Sequence, residues 1–151
     1  MTTVLAVDLG SASGRVLAGT LHDGRLVVTD IHRFKHQAQR REDGTLTWDV
    51  ATMEAETIVG LKKALERFPD ARTVSIDTWG VDWAPLDEDG SLIGEVVAYR
   101  DERTSRTLED FRSRIADREF FDLTGNQPAT INTANQLFAF LQENPSDARR
   151  V

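Results

Sequence analysis

The first 34 residues constrain the fold most. Three apolar runs, at 3–7, 15–21 and 26–34, are short, carry many β-branched side chains and are separated by two turn signals. The first signal is Gly10-Ser11-Ala12-Ser13-Gly14. The second is Asp23-Gly24, a pair that favours tight hairpins because both residues tolerate left-handed backbone. Runs this short joined by turns this tight pair most simply with their neighbours in sequence, so the chain is expected to open as three antiparallel strands.

Beyond that hairpin pair the period changes. Residues 35–45 are polar, contain Asp43-Gly44 and read as a loop. Ala51, Ala55, Ile58, Leu61, Leu65 and Phe68 then recur at helical spacing and give one apolar face. Asp49 or Thr52 can cap that helix. Glu54 and Glu56 lie early, Lys62, Lys63 and Arg67 late, an order that complements the helix dipole, and Pro69 ends it. Residues 73–77 read as a fourth strand, and 83–86 with 91–97 flank Asp89-Gly90 as a further hairpin. A helix is expected from Thr104 or Ser105, with Leu108, Phe111 and Ile115 on one side. A short helical turn at Phe120, Phe121 and Leu123 is closed by Gly125, and a last helix runs from Asn132 or Thr133 to Pro145. The expected class is α/β: a mixed sheet that begins with three antiparallel strands and is flanked by helices. No repeat or linker interrupts the pattern, which reads as one domain over residues 1–151.

Charge narrows the partners. Lys plus Arg number 18 against 25 Asp plus Glu, a net charge of −7, which disfavours non-specific binding to nucleic acid or membranes. No apolar run approaches the length that spans a bilayer. No basic segment followed by an apolar one marks a secretion signal, and the absence of cysteine excludes disulfides and thiolate metal sites. A cytoplasmic location is the simplest expectation. An anionic nucleotide can still be held locally, by backbone N–H groups and one arginine.

Two segments carry candidate chemistry. In Asp8-Leu9-Gly10-Ser11-Ala12-Ser13-Gly14-Arg15, a carboxylate ends an apolar strand and two glycines bracket small residues. Successive N–H groups in such a turn can converge on phosphate oxygens, Ser11 and Ser13 add hydroxyl donors, and Arg15 adds a guanidinium fork suited to phosphate. Asp8 can serve Mg²⁺, through water, because that ion prefers oxygen ligands and keeps much of its hydration. The pattern is neither a Rossmann fingerprint nor a Walker A loop. The same residues also make an ordinary hairpin turn, and the residues alone leave both readings open. In Asp77-Thr78-Trp79-Gly80-Val81-Asp82, which follows the fourth strand, two carboxylates, a hydroxyl, an indole and a glycine lie where α/β sheets place their ligands. Sugars suit that mixture. A plain turn with Trp79 in the core explains it as well.

The remaining candidates say less. Arg100, in Tyr99-Arg100-Asp101-Glu102-Arg103, can face a site or simply open a helix. His22, His32 and His36 lack metal-ligand spacing. Asn132 and Gln136 stand four apart and can share a face toward a ligand, although capping explains Asn132 equally well. No cysteine nucleophile and no GxSxG is present.

Taken in order, the segments 6–15, Ile31-His32-Arg33-Phe34, Thr47-Trp48-Asp49-Val50, 76–82, Ala98-Tyr99-Arg100-Asp101 and Asn132-Thr133 resemble the amino-terminal part of the FGGY family of carbohydrate kinases. The Asp-Thr-Trp-Gly-Val-Asp segment resembles the branch that phosphorylates the ketose L-rhamnulose. The resemblance implies an RNase-H-like, actin-like ATPase fold, with ATP and Mg²⁺ as cofactors and a small sugar as substrate. It implies that Ser11, Ala12, Ser13, Gly14 and Arg15 contact ATP phosphates and that Asp8 serves the metal. It implies that Gly80 contacts the sugar, with Thr78, Trp79 and Asn132 beside it. One departure is Ser11-Ala12-Ser13, where the family often has Ala-Ser-Ser. In the family the catalytic aspartate lies in a later segment, so no catalytic residue is assigned here. The chain is then expected to be the incomplete first domain of a sugar kinase, inactive alone. A kinase for another ketose or polyol, or a non-catalytic sugar- or nucleotide-binding module, are the alternatives.

Overall fold

The computed structural model describes residues 2–147; Met1 and residues 148–151 lie outside the described part, so the reading of 1–151 as one domain is followed only within it. The described residues form two compact units, one of residues 2–38 and 49–80, the other of 39–48 and 81–147.

The first unit is a four-stranded sheet with one helix against it. Strands β1 (Thr2–Leu9), β2 (Ser13–His22) and β3 (Arg25–Lys35) pair antiparallel in sequence order, as the turn signals require. Asp23 and Gly24 both take positive φ, 49° and 76°, the conformation that lets a two-residue turn follow the strand twist. The chain then returns through helix α1 (Val50–Arg67) to β6 (Val74–Thr78), which lies parallel to β1, so the sheet order is β3-β2-β1-β6. The sheet is mixed because a crossover helix allows the parallel return that a hairpin cannot.

The core of this unit lies between α1 and the sheet. Leu5, Val7, Val16, Ala18, Ala64 and Ala71 are buried together, with Leu9, Ile31, Leu61 and Phe68 packed around them. Gly60 sets the helix height: a Cβ there would stand 2.4 Å from Val16 Cγ2 and 2.9 Å from Val16 Cβ. Asp49 caps the helix by accepting from the Thr52 N–H at 2.9 Å and the Thr52 hydroxyl at 2.7 Å. The helix ends at Arg67, two residues before Pro69, and the N–H of the capping residue Phe68 donates to Ala64 O.

The second unit carries a short ribbon and four helices among the described residues. A two-strand ribbon pairs β4 (Gln39–Arg40), inside the stretch expected to be loop, with β5 (Leu46–Thr47), just after it. The hairpin expected around Asp89-Gly90 is reduced to one bridge between Leu86 and Leu92. Asp87 explains the reduction, since its side chain accepts from the N–H groups of Asp89 and Ser91 and turns the chain locally. Helix α2 (Arg103–Arg106) is one turn, followed by α3 (Leu108–Arg114), α4 (Asp117–Thr124) and α5 (Thr133–Glu143). Gly125 closes α4 in the left-handed conformation, φ 70°.

Candidate functional site

Parallel register brings the two sequence motifs side by side at the carboxyl end of the sheet. Asp8 lies opposite Asp77 and Leu9 opposite Thr78 in the β1–β6 ladder, and the Trp79 N–H donates to Leu9 O at 3.0 Å. The antiparallel β1–β2 ladder places Asp8 opposite Arg15 and Leu9 opposite Gly14. The tip is closed by the Gly10 N–H donating to Ser13 O at 3.0 Å, which leaves Ser11, Ala12 and Ser13 exposed. Asp77 did not stand out from the sequence as a partner of Asp8. Only parallel pairing across seventy residues makes them neighbours, and no local pattern announces that.

Asp8 and Arg15 hold each other. Arg15 Nε donates to Asp8 Oδ2 at 2.7 Å and Nη2 lies 2.5 Å from the same oxygen. Both side chains are about two-fifths exposed, 42% for Arg15 and 37% for Asp8, so the pair is worth only about 0–1 kcal/mol and exchanges readily for other partners. The donor set suits a hydrated hard cation: carboxylate oxygen at a strand end, open to water. Among the described residues no three His, Cys, Asp or Glu side chains gather as a complete metal-holding group. A metal would therefore take most of its ligands from water and from a bound anion.

Support for the hairpin comes from behind it. Phe34 is buried, and its ring fills the place where a side chain on Gly14 would go: a Cβ there would lie 2.2 Å from Phe34 Cζ. His36, just past β3, donates its backbone N–H to Ala12 O at 3.3 Å. Burial pushes the His36 ring below its usual pKa, and a hydrogen bond with the Gly10 backbone pulls it back part of the way. The imidazole packs 6.0 Å from the Phe34 ring and 5.4 Å from the Trp79 ring, centroid to centroid. Sequence reasoning passed over His36 because it looked only for metal ligands. Its position two residues after Phe34, on the same side of the strand path, was the available signal.

The second motif divides at Gly80, where the chain leaves the first unit. Thr78 is exposed, its hydroxyl donating to Trp79 O at 3.0 Å. Trp79 is half-buried and, with Leu9, Met53, Leu61 and Ile76, lines an apolar groove of about 420 Å³ between α1 and β6. Gly80 is exposed, has no positive φ, and a Cβ there would meet nothing within 4 Å. The local fold thus makes no demand for glycine at this position.

In the second unit, Asp82 serves structure: it accepts from Trp48 Nε1 at 2.8 Å and from the Tyr99 N–H at 2.7 Å. Val81 takes φ 73°, unusual for a β-branched residue, and its carbonyl accepts from the buried Gln136 Nε2 at 2.7 Å; the same amide donates to Ile131 O at 2.9 Å. Gln136 therefore holds the backbone and does not join Asn132 on a shared ligand-facing surface. Asn132 precedes α5 without capping it; its Oδ1 accepts from the Ala129 N–H at 2.6 Å. Arg103 is buried, which lowers its pKa, while Glu143, Asp101 and Asp82 act in the opposite sense. Arg100 is exposed and turned onto its neighbour Tyr99, with Nε donating to the phenol oxygen at 2.7 Å. The structure thus brings Asp8, the 11–15 turn, Thr78 and Trp79 together at the carboxyl end of β1 and β6, with Gly80 directly after them, and puts Asn132 on the other unit.

A family model described as the FGGY family of carbohydrate kinases, N-terminal domain, matches residues 3–151. The rhamnulokinase of Mannheimia succiniciproducens is 37% identical over 145 residues, covering 95% of this chain and 30% of that protein. The rhamnulokinase of Enterococcus faecalis is 38% identical over 137 residues, covering 90% and 28%. The chain spans about 30% of the length of these curated relatives. Among solved structures, a ligand-bound xylulose kinase from Lactobacillus acidophilus superposes with TM-score 0.82 at 11% identity, over 100% of this chain and 30% of that one. A xylulose kinase from Rhodospirillum rubrum gives 0.81 at 16% identity, over 99% and 31%. These structural likenesses establish the fold, the α/β architecture with a mixed sheet shared by sugar kinases.

Proposed function

Because this chain belongs to the FGGY family of carbohydrate kinases, we propose that it supplies the phosphate-binding hairpin and part of the sugar-binding surface of an ATP-dependent kinase for L-rhamnulose. The observation that carries the phosphate half is the tip itself: three small exposed residues at the turn between two strands that pair a carboxylate, Asp8, with an arginine, Arg15, one step before the last pair, Leu9 and Gly14. The sugar half rests on the two rhamnulokinase relatives and on Gly80, whose lack of a side chain is not required by its own surroundings.

In this reading Ser11, Ala12, Ser13 and Gly14 present N–H groups and hydroxyls to the terminal phosphates of ATP, and Arg15 offers its guanidinium to the same charge. Mg²⁺, when bound with the nucleotide, supplies neutralisation of phosphate charge. Asp8 would hold that ion through water, which frees Arg15 from its present partner to face phosphate. Gly80 leaves room for a sugar hydroxyl to approach the backbone, with Thr78 and Trp79 beside it. The attacking primary hydroxyl needs a base to accept its proton. We assign none to this chain, and the rest of the relatives' length is where we place it.

A coupled ADP-release assay tests this. The 151-residue chain is expected to show no turnover of L-rhamnulose, and a chain carrying the remaining length of the relatives is expected to turn it over in preference to xylulose, gluconate or glycerol. Clear turnover by the 151-residue chain sinks the assignment of the base. Preference for another sugar in the longer chain sinks the substrate.

A further inference from the structure

We propose that β6 is a self-pairing edge: in the 151-residue chain, two copies join β6 to β6 antiparallel across a two-fold axis and make one continuous sheet. The inference is independent of the phosphate and sugar readings and concerns the surface beside them.

β6 ends the sheet order β3-β2-β1-β6, and among the described residues no strand pairs with its outer side. All five of its residues are exposed, and two of them are large and apolar: Val74 is 52% exposed and Ile76 58%. A strand edge presents a row of N–H and C=O groups ready to pair with another chain, and sheets usually blunt it with charge, proline or a bulge. The opposite edge is blunted in this way. β3 carries Arg25, Asp30, Arg33 and Lys35, and it bulges at Ile31, since Val16 pairs with His32 and the next residue, Leu17, pairs with Asp30. β6 reads Val-Ser-Ile-Asp-Thr, without lysine, arginine or proline, and its register against β1 is unbroken from Val74 to Thr78.

The sequence of β6 suits a copy of itself. Antiparallel pairing centred on Ile76 sets Ile76 opposite Ile76, Val74 opposite Thr78 and Ser75 opposite Asp77 of the second copy. The strand's single charge then faces a hydroxyl and never its like, whereas two carboxylates directly opposite would oppose pairing. The ladder with β1 fixes the sides. Val74 and Ile76 pair with Leu5 and Val7, which belong to the core under α1, so the apolar pairs lie on the helix side of the sheet. Ile76 also lines the groove between α1 and β6, with Met53, Ile58 and Leu61. A two-fold axis perpendicular to the sheet keeps both α1 helices on one face, so the two apolar grooves meet along the same seam. One contact thus pairs the open backbone edge and covers the apolar wall beside it.

Sedimentation velocity over a concentration series tests this, run at about 0.15 M salt, where the Debye length is about 8 Å and the net charge of −7 is largely screened. A five-residue seam is small for an interface, so the parent is expected to show a reversible monomer–dimer equilibrium in the micromolar range. Two variants read the register. Ser75→Asp sets carboxylates opposite each other at two equivalent places, and Ser75→Lys sets an ammonium opposite Asp77 at the same two. The first is expected to weaken the dimer and the second to tighten it, each by about twofold to thirtyfold. Ile76→Lys places two ammonium groups face to face at the centre and is expected to leave only monomer. Val28→Lys, on an exposed residue of β3, is expected to change nothing. Loss of folding cannot imitate the tighter dimer of Ser75→Lys, so the pair of Ser75 variants stays decisive. A parent that is monomeric throughout, Ser75 variants that shift association in the same direction, or a dimer lost in Val28→Lys overturns the proposal.

Discussion

Gly60→Ala is the substitution whose sign follows most directly from the packing of α1 on the sheet. Two effects compete. In a helix interior alanine is favoured over glycine by about 1 kcal/mol. Against that, the new Cβ would stand 2.4 Å from Val16 Cγ2, 2.9 Å from Val16 Cβ and 3.1 Å from His32 Cβ. Carbon atoms settle at about 3.5–4.0 Å, so Cγ2 must retreat by roughly 1 Å and Cβ by roughly 0.5 Å. Rotation of Val16 relieves only the first clash, because Cβ is fixed to the backbone of β2 and β-branched rotamers are few. Val16 is fully buried and cannot swing to solvent. The helix must therefore lift, which also stretches the bonds from His32 to Glu56 at 2.6 Å and to Lys63 at 3.2 Å that flank the same seam. Overpacking of this kind costs about 1–3 kcal/mol, and a clash with a backbone-fixed atom belongs to the upper half of that range. The expected net loss is about 1–2 kcal/mol, or about 2–8 °C in thermal midpoint for a chain of this size. Urea denaturation followed by circular dichroism measures it. A cycle with Val16→Ala sharpens it, since removing Cγ2 should recover part of the cost and give about 1 kcal/mol of coupling. A Gly60→Ala chain more stable than the parent, or a double variant additive within about 0.5 kcal/mol, refutes the packing argument.

Three further outcomes follow from single contacts. Hydrogen bonds from the Thr52 N–H, and then its hydroxyl, hold Asp49 below the ordinary carboxylate pKa of 3.8; this stabilisation is present above 3.8 and lost as pH falls through the folded value, so Asp49→Asn, which still accepts at the cap, is expected to flatten the acid limb of a urea-midpoint profile below about pH 4. Gln136→Leu removes the donor that serves both Val81 O and Ile131 O and is expected to cost about 1–3 kcal/mol in chemical denaturation, because two carbonyls lose their partner inside the second unit. Gly80→Ala adds a methyl to open space at an ordinary φ, so the chain's stability should hold or rise by up to about 1 kcal/mol; in a chain with kinase activity the same change is expected to raise KM for the sugar, and an unchanged KM would remove Gly80 from the sugar site.

The parts of the molecule that were legible in the sequence are those with local causes. Asp23-Gly24 dictates its turn through two positive φ angles, Gly125 its helix end, and the 51–68 apolar spacing its helix, all without reference to distant residues. The 83–97 hairpin was misjudged because Asp87 satisfies nearby N–H groups with its side chain, an alternative to strand pairing that propensity does not register. The site was half legible. The small-residue turn and the strand-end carboxylate are written in consecutive residues, but the neighbours Asp8 and Asp77 meet only through a parallel ladder. Asp82 and Gln136 looked like ligand-facing polar groups and proved to bind backbone and indole. Buried polar groups must find such partners, and a sequence does not say whether the partner is a substrate or the chain itself.

The order of small residues in the turn, Ser11-Ala12-Ser13, can be weighed against the scaffold behind it. Exchanging the order moves one hydroxyl between two exposed positions and leaves the backbone donors alone, so Ser11→Ala with Ala12→Ser should change MgATP affinity by no more than one hydrogen bond, about 1 kcal/mol or less than tenfold. Gly14→Ala acts on different terms. Its Cβ would enter the Phe34 ring, 2.2–2.7 Å from three ring atoms, and the buried Phe34 ring has the His32 and His36 rings 6.1 and 6.0 Å away on either side. The displacement then reaches Trp79 through the His36 ring. The expected order of MgATP affinity is parent, then the exchanged turn within tenfold, then Gly14→Ala well below both. An exchanged turn weaker than Gly14→Ala would mean that side-chain hydroxyls, and not the aim of the backbone, dominate phosphate binding at this hairpin.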